Sequence, residues 1–521
     1  MVLVRRARFL TRNLWKLGFV IAGAVLLTAR GGSDAPRLPQ LGVKVAAAQS
    51  VPCGLLPAGT VTWSAPSYIL PISPANDPFP DPANPPCAGG VVVGPSTTLV
   101  IDASANPVRI FSSGAGLNVQ GGILETANTD SNHIVSFEAA ADVASWDGIN
   151  ITASGNSKGN ASLSYISIQG ALRSIQISSG ATSSPADSNY GLTVSNSGIG
   201  FSYFDGIDAT DTPISVTGLN DGHTGTINNI GSIGINATFD SGAPAITADA
   251  LHIDGMTFGS SAPFGINACP SNQPCYIGNQ AVFGSFTPHA RQPVAIKHSN
   301  FYRAGTYGVQ LESANQPILT NNLFVCNGLG APTTGTPCGG SGPVYSAVYL
   351  NQATANLAQD HPDSGDVSGN HGFGNGLDAI AFNGTVTGAS PGDSSHPTLT
   401  WQNATNNGTA DHNFGYLLNG DLNMANGYFK VPDASLVKTL GGTINLTNSK
   451  LDASGTTDVK TFTSLRDPIG IASCPSVFAP SCGPAVLPGG EWGGINLAGG
   501  SSANINKANI FYATTGVRIA G

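Results

Sequence analysis

The sequence predicts an all-β chain wound as a parallel solenoid, and three observations carry that expectation. The first is composition. Of 521 residues 67 are Gly and only 10% are charged, while Thr, Ser, Val and Ile are abundant. Helix-forming Lys, Glu, Arg and Met are scarce, and Gly, Asn, Asp and Ser supply the tight-turn positions of β structure. Glycine without a strict triplet period excludes collagen, and an apolar content of 41% excludes a disordered chain. The second observation is duplication. Trp63 closes the strand-like run Val61-Thr62-Trp63, and Trp401 closes Leu399-Thr400-Trp401. Trp146 and Trp492 then open nearly the same phrase, Trp146-Asp-Gly-Ile-Asn-Ile and Trp492-Gly-Gly-Ile-Asn-Leu. Self-similarity of this kind marks a repeat architecture. The third is a short phrase, Gly followed by Ile or Val. It recurs at Gly148-Ile149, Gly206-Ile207, Gly234-Ile235, Gly265-Ile266 and Gly308-Val309, and again at Gly494-Ile495 and Gly516-Val517. Looser forms stand at Ala347-Val348 and Ala379-Ile380.

Taken in chain order, residues 1–30 form an export signal. Arg5, Arg6, Arg8, Arg12 and Lys16 precede an apolar run from Leu17 to Leu27, with no acidic residue before Asp34. The run is too short for a comfortable membrane span, so no stable transmembrane segment is expected. Leu27-Thr-Ala-Arg-Gly-Gly has the form of a bacterial lipobox in which Arg30 takes the place of the lipidated Cys. Cleavage after Ala29 and cleavage after Ala48 both stay open. Loss of residues 1–30 removes six of the 21 basic side chains and none of the 30 acidic ones. A mature chain so acidic is a poor partner for nucleic acid or an anionic membrane surface.

Residues 31–59 read as a linker. Residues 60–151 read as an opening cassette that caps the N-terminal end, interrupted by a Pro-rich excursion from Pro71 to Pro86. Residues 152–388 are the solenoid proper. Pro293-Val-Ala-Ile-Lys-His-Ser-Asn-Phe and Pro317-Ile-Leu-Thr-Asn-Asn-Leu-Phe are successive passes about one coil apart, with a basic unit in the low twenties. Apolar residues alternate within each run, as in Val294-Ala-Ile296 and Val309-Gln-Leu311, so one face points inward. Asn at corners, as in Thr320-Asn321-Asn322, suits left-handed geometry and amide stacking between coils. Residues 389–398 form a linker, and residues 399–521 form a second cassette that begins a further β-helical segment. No polar cap follows Gly516-Val517, so that segment is expected to be incomplete.

The eight cysteines fall as sequence neighbours among Pro, Gly, Ser and Asn: Cys53 with Cys87, Cys269 with Cys275, Cys326 with Cys338, and Cys474 with Cys482. No Cys-x-x-Cys spacing exists and no His stands beside the pairs, so disulfides stapling loops in an oxidising compartment are expected rather than metal sites.

These repeats resemble the right-handed parallel β-helix repeats of the pectate-lyase-like superfold, and the Trp cassettes resemble the opening segments of exported bacterial β-helix proteins. The resemblance spans about residues 60 to 521. It implies right-handed coiling and a fold shared by lyases, hydrolases, adhesins and inert scaffolds. It also implies, for the lyases, clustered carboxylates on calcium and an Arg or Lys as base. Here no Arg-x-Pro-x-x-Arg phrase occurs. Asn128-Thr129-Asp130 matches one hydrolase phrase, yet no Asp-Asp pair follows anywhere, and glycoside hydrolysis needs two carboxylates.

The best polar cluster is Asp360, Asp363 and Asp366 with His361, His371 and Asp378, a candidate calcium loop of hard oxygen ligands. It lacks the Asp-x-Asp-x-Asp-Gly spacing of a dedicated loop, and no other cofactor is implied. The sequence therefore leads to an exported, acidic, non-catalytic β-helix of the bacterial surface, periplasm or secretome. Its role would be structural, adhesive or glycan-contacting, with polysaccharide or another surface protein as partner. The alternative is a polysaccharide lyase or glycoside hydrolase whose carboxylates and basic residue meet only in space, from different coils.

Overall fold

The computed structural model describes residues 48–70, 90–140, 145–178, 190–219, 225–239, 249–259, 276–286, 294–313, 317–330, 338, 345–357, 367–388, 399–400, 412–439, 441–467 and 490–520. The export signal, the Pro71–Pro86 excursion, Gly265-Ile266, the 389–398 linker and Trp401 lie outside them.

Every regular element among the described residues is a strand. In Ile149–Thr152 the first and third side chains are buried and the second and fourth half-buried, the period-two pattern of a strand with one inward face. A turn follows every four or five residues, and the next short strand starts a new wall. Three walls result. Sheet A holds 12 strands, among them Val135–Ala139, Ile166–Gln169 and Gly198–Ser202. Sheet C holds 10 strands, among them Asn160–Ser164 and Leu192–Ser195. Sheet B carries the Ile149–Thr152 strand and runs the length of the described chain. The chain visits A, B and C in turn and pairs in parallel with the coil before. The molecule is a right-handed parallel β-helix.

Register explains the repeating phrase. Ile149, Ile175, Ile207, Ile235, Val282, Val309, Val348 and Ile380 are successive partners on sheet B, so the phrase marks the turn from sheet A into sheet B. Backbones crowd there. Gly148 has φ +86°, and a Cβ on it would lie 1.9 Å from the carbonyl oxygen of Arg173 in the next coil. Strands start at Gln49–Ser50 and Gly54–Leu55, ahead of the boundary expected at residue 60, and residues 60–151 form coils of the same three sheets.

The interior is a single apolar column from Val51 to Leu497. Phe258, Phe301 and Phe324 are register partners whose rings stack at 4.9 and 4.7 Å between centroids. Corners are closed by buried amides. Asn322 stands 23 residues after Ser299, whose amide it accepts at 3.0 Å, and its Nδ2 donates to Asn370 Oδ1 at 2.9 Å. Asn327 does the same one corner on, accepting from Ala304 N at 3.0 Å and donating to Asn375 Oδ1 at 2.9 Å. Asn321 adopts φ +55°, the left-handed corner expected of it.

The duplicated tryptophans occupy equivalent places. Trp146 is buried and its indole N–H donates to Gln169 O at 3.0 Å; Trp492 is buried and donates to Phe511 O at 2.7 Å. Each also bridges in parallel to the following coil, at Ala171 and Ala513.

Sheet B forks where the second cassette begins. Strand Gly415–Ala425 pairs through its first half with Leu436–Thr439 (Tyr416↔Val437) and through its second half with Thr443–Thr447 (Leu422↔Ile444). One limb continues through Lys460–Ser464 and Ala508–Ile510, the other through Gly494–Ala498 and Val517–Ile519. A separate 4-stranded sheet, starting at Leu399–Thr400, makes the third wall. The further β-helical segment thus grows from a strand shared with the first.

Cys326 and Cys338 form a disulfide with Cα atoms 4.8 Å apart. Cys53 is also disulfide-bonded. Cys87, Cys269, Cys275, Cys474 and Cys482 lie outside the described residues. No helix among the described residues is long and apolar enough to cross a membrane.

Candidate ligand-binding face

Alternation along each sheet B strand sends every second side chain outward, and parallel register stacks these into columns about 4.8 Å per coil. One column reads Asn118, Asn150, Gln176, Asp208 and Asn236, then Phe283, Gln310 and Tyr349. Beside it runs a second column of Thr210, Thr238, Ser285, Glu312, Asn351 and Asn383. The amides bond along the axis. Asn150 Nδ2 donates to Asn118 Oδ1 at 3.2 Å, Asn236 Nδ2 to Asp208 Oδ1 at 3.1 Å and Gln280 Nε2 to Gln310 Oε1 at 2.7 Å. Gln310 Nε2 in turn donates to Glu312 Oε1 at 2.7 Å. Such bonds fix the rotamers and leave a preorganised, mostly uncharged surface of donors and acceptors.

Two clusters punctuate this face. At the turn into sheet B, Arg173 Nε lies 3.5 Å from both Asp205 Oδ2 and Asp208 Oδ2. Its guanidinium carbon sits 5.5 Å from the ring centre of Phe204. Asp205 Oδ1 accepts the Ile233 amide at 3.1 Å. Burial raises the Asp208 carboxyl above its ordinary range and the Asp205 charge adds to it; Arg173 and the Asn236 hydrogen bond work the other way. Asp147, one coil earlier, is raised by burial. Further along, Tyr307 stacks on Tyr349 at 5.2 Å and meets Tyr345 edge-on at 5.1 Å. Burial, then the neighbouring tyrosines and Glu312, push the Tyr307 hydroxyl up to about 12.

The residues singled out by sequence fall elsewhere. Asp360, Asp363 and Asp366 lie outside the described residues. Asp378 is buried, and its Oδ1 accepts Asn375 N at 3.0 Å and Nδ2 at 2.8 Å, ending the second asparagine ladder. His371 is on a sheet A strand, whereas Asp378 begins a sheet B strand. Among the described residues no three His, Cys, Asp or Glu side chains are placed to hold a metal ion. Asn128-Thr129-Asp130 is a turn: Asn128 has φ +54° and bonds Asp102, and Asp130 accepts from the Asn132 amide at 2.7 Å.

Arg173, Asp205 and Asp208 were not picked out from the sequence. They stand on two coils and meet only through the register Ile175↔Ile207. The signal was present in outline, because Asp205-Gly206-Ile207-Asp208 contains the recurring phrase and its neighbours share its columns. Comparison with known protein families, with curated proteins and with solved structures gives no match to this chain.

Proposed function

We propose that this protein is an exported, non-catalytic β-helix of the bacterial surface or secretome that contacts glycans along the outward face of sheet B. The observation that carries the reading is the pair of outward columns, in which amides and hydroxyls run for many coils and meet the Tyr307–Tyr345–Tyr349 platform. Polysaccharides present rows of hydroxyls beside apolar ring faces. A fixed array of amides with aromatic side chains suits both, and the fixed geometry lowers the entropic cost of binding. The Cys326–Cys338 disulfide and the basic, apolar N-terminus support export.

A polysaccharide lyase or hydrolase is the second reading, favoured by the Arg173, Asp205 and Asp208 cluster. Weighing against it, one guanidinium is shared by both carboxylates, which holds them as an ion pair rather than as separate acid and base. Incubation with immobilised neutral, acidic and amine-bearing polysaccharides, with and without calcium, tests both readings. Retention without new reducing ends or unsaturated products supports the binding role. Turnover overturns it in favour of the enzyme, and failure to bind any of them leaves a structural spacer.

A further inference from the structure

On the turn between sheets A and B in two successive coils, four large apolar side chains stand in the open. Leu172 is 37% exposed, Phe201 38%, Tyr203 56% and Phe204 51%. They are neighbours: Tyr203 N donates to Ala171 O at 3.1 Å and Phe204 N to Leu172 O at 2.9 Å. Contiguous exposed apolar surface of this kind marks interaction sites. Phe201 adds a second sign. It holds φ +55°, a left-handed conformation that a bulky side chain takes only where its surroundings impose it. On either side the chain is fixed in register, at Ile199↔Ile227 and Ser202↔Ile230, so the kink directs the ring outward instead of into the core.

Charge decides what this ridge fits. Asp147 precedes Leu172 and Phe204 on the same turn, since Trp146 bridges to Ala171 and Leu172 N donates to Trp146 O at 2.8 Å. Asp205 and Asp208 flank the ridge on its other side, and the single nearby cation, Arg173, is already placed between them. Three carboxylates thus face one guanidinium, and the ring faces themselves attract positive charge. An anionic polymer is repelled here, and a neutral one gains nothing from the acids. We propose that this ridge docks glycans bearing protonated amines, of which a polymer of glucosamine units is the type, with ammonium groups over Tyr203 and Phe204 and against Asp205 and Asp208. The proposal rests on the glycan-contacting reading of sheet B, whose amide and hydroxyl columns continue from the ridge.

Isothermal titration calorimetry of the full chain tests it with hexamers of glucosamine, of N-acetylglucosamine and of galacturonate. The glucosamine hexamer is expected to bind about tenfold more tightly than its acetylated counterpart, to weaken as salt is added, and to outcompete galacturonate. The double variant Tyr203→Ala/Phe204→Ala, confined to exposed side chains, and the near-isosteric Asp208→Asn should each lose most of that preference. Unchanged circular dichroism and melting would exclude misfolding as the cause. Equal affinity for the acetylated hexamer, or undiminished binding by both variants, overturns the proposal. If neutral hexamers bind and Tyr349→Ala abolishes that binding, the sheet B reading survives and this one falls; if no hexamer binds, both fall. Self-association that the double variant removes would assign the ridge to a second copy of the chain instead.

Discussion

Asn327 shows how much of the solenoid's stability is held in single side chains. It is fully buried, accepts from Ala304 N and donates to both Phe301 O and Asn375 Oδ1. Asn327→Ala leaves several backbone and amide groups without partners, and a loss of about 3 kcal/mol in urea unfolding is expected. The half-buried Asn150, also in an amide ladder, should cost under about 1 kcal/mol as Asn150→Ala. Lys438 makes a different kind of demand. It is 2% exposed, and burial draws its pKa down from 10.5 to about 8, against the partial pull of Asp467. The folded state therefore binds this proton less tightly than the unfolded chain, so burial of the charged amine opposes folding below pH 8. That penalty, about 3 kcal/mol in size, is relieved as pH rises from about 8 towards 10.5. Unfolding free energies of the protein and of Lys438→Met, followed from pH 7 to 10, should converge or diverge by that amount in favour of the parent as pH rises. Parallel curves would contradict it.

At the scale of the element, the turn into sheet B was the most legible part of the sequence. Gly148-Ile149, Gly206-Ile207, Gly234-Ile235 and Gly308-Val309 fall in one register because backbone crowding and inward packing fix both residues of the phrase. Where a loop intervenes the phrase misleads: Ala281-Val282, not Gly265-Ile266, enters sheet B between Ile235 and Val309. The crowding has a measurable consequence. Gly148→Ala sets a Cβ against the Arg173 carbonyl at a left-handed φ and should cost about 2–4 kcal/mol. Gly516 carries the same phrase but has open space around its missing Cβ, so Gly516→Ala should leave the melting temperature nearly unchanged. The candidate site was far less legible. Composition and period report which side chains point outward, but not which coils lie side by side across inserted loops. Arg173 and Asp208 come together only once Gln176 is paired with Asp208.

For the whole molecule, stability is a sum over neighbouring coils, since each wall touches only the coil before and after. Strands at the end of the described chain are the least covered: every side chain of Val517–Ile519 is exposed, whereas the alternate residues of Leu251–Asp254 are buried. Unfolding under load should begin among those outer coils and travel inward. The forked strand changes what happens next. A tear that unzips the Thr443–Thr447 limb reaches Gly415–Ala425 having released only half of that strand, while Leu436–Thr439 still grips the other half. Fracture mechanics would call this a crack stopper: damage to one branch is arrested instead of running the length of the shaft. Optical-trap extension from the C-terminal end should accordingly register a pause at the fork, and a smooth, uninterrupted peel through it would refute that description.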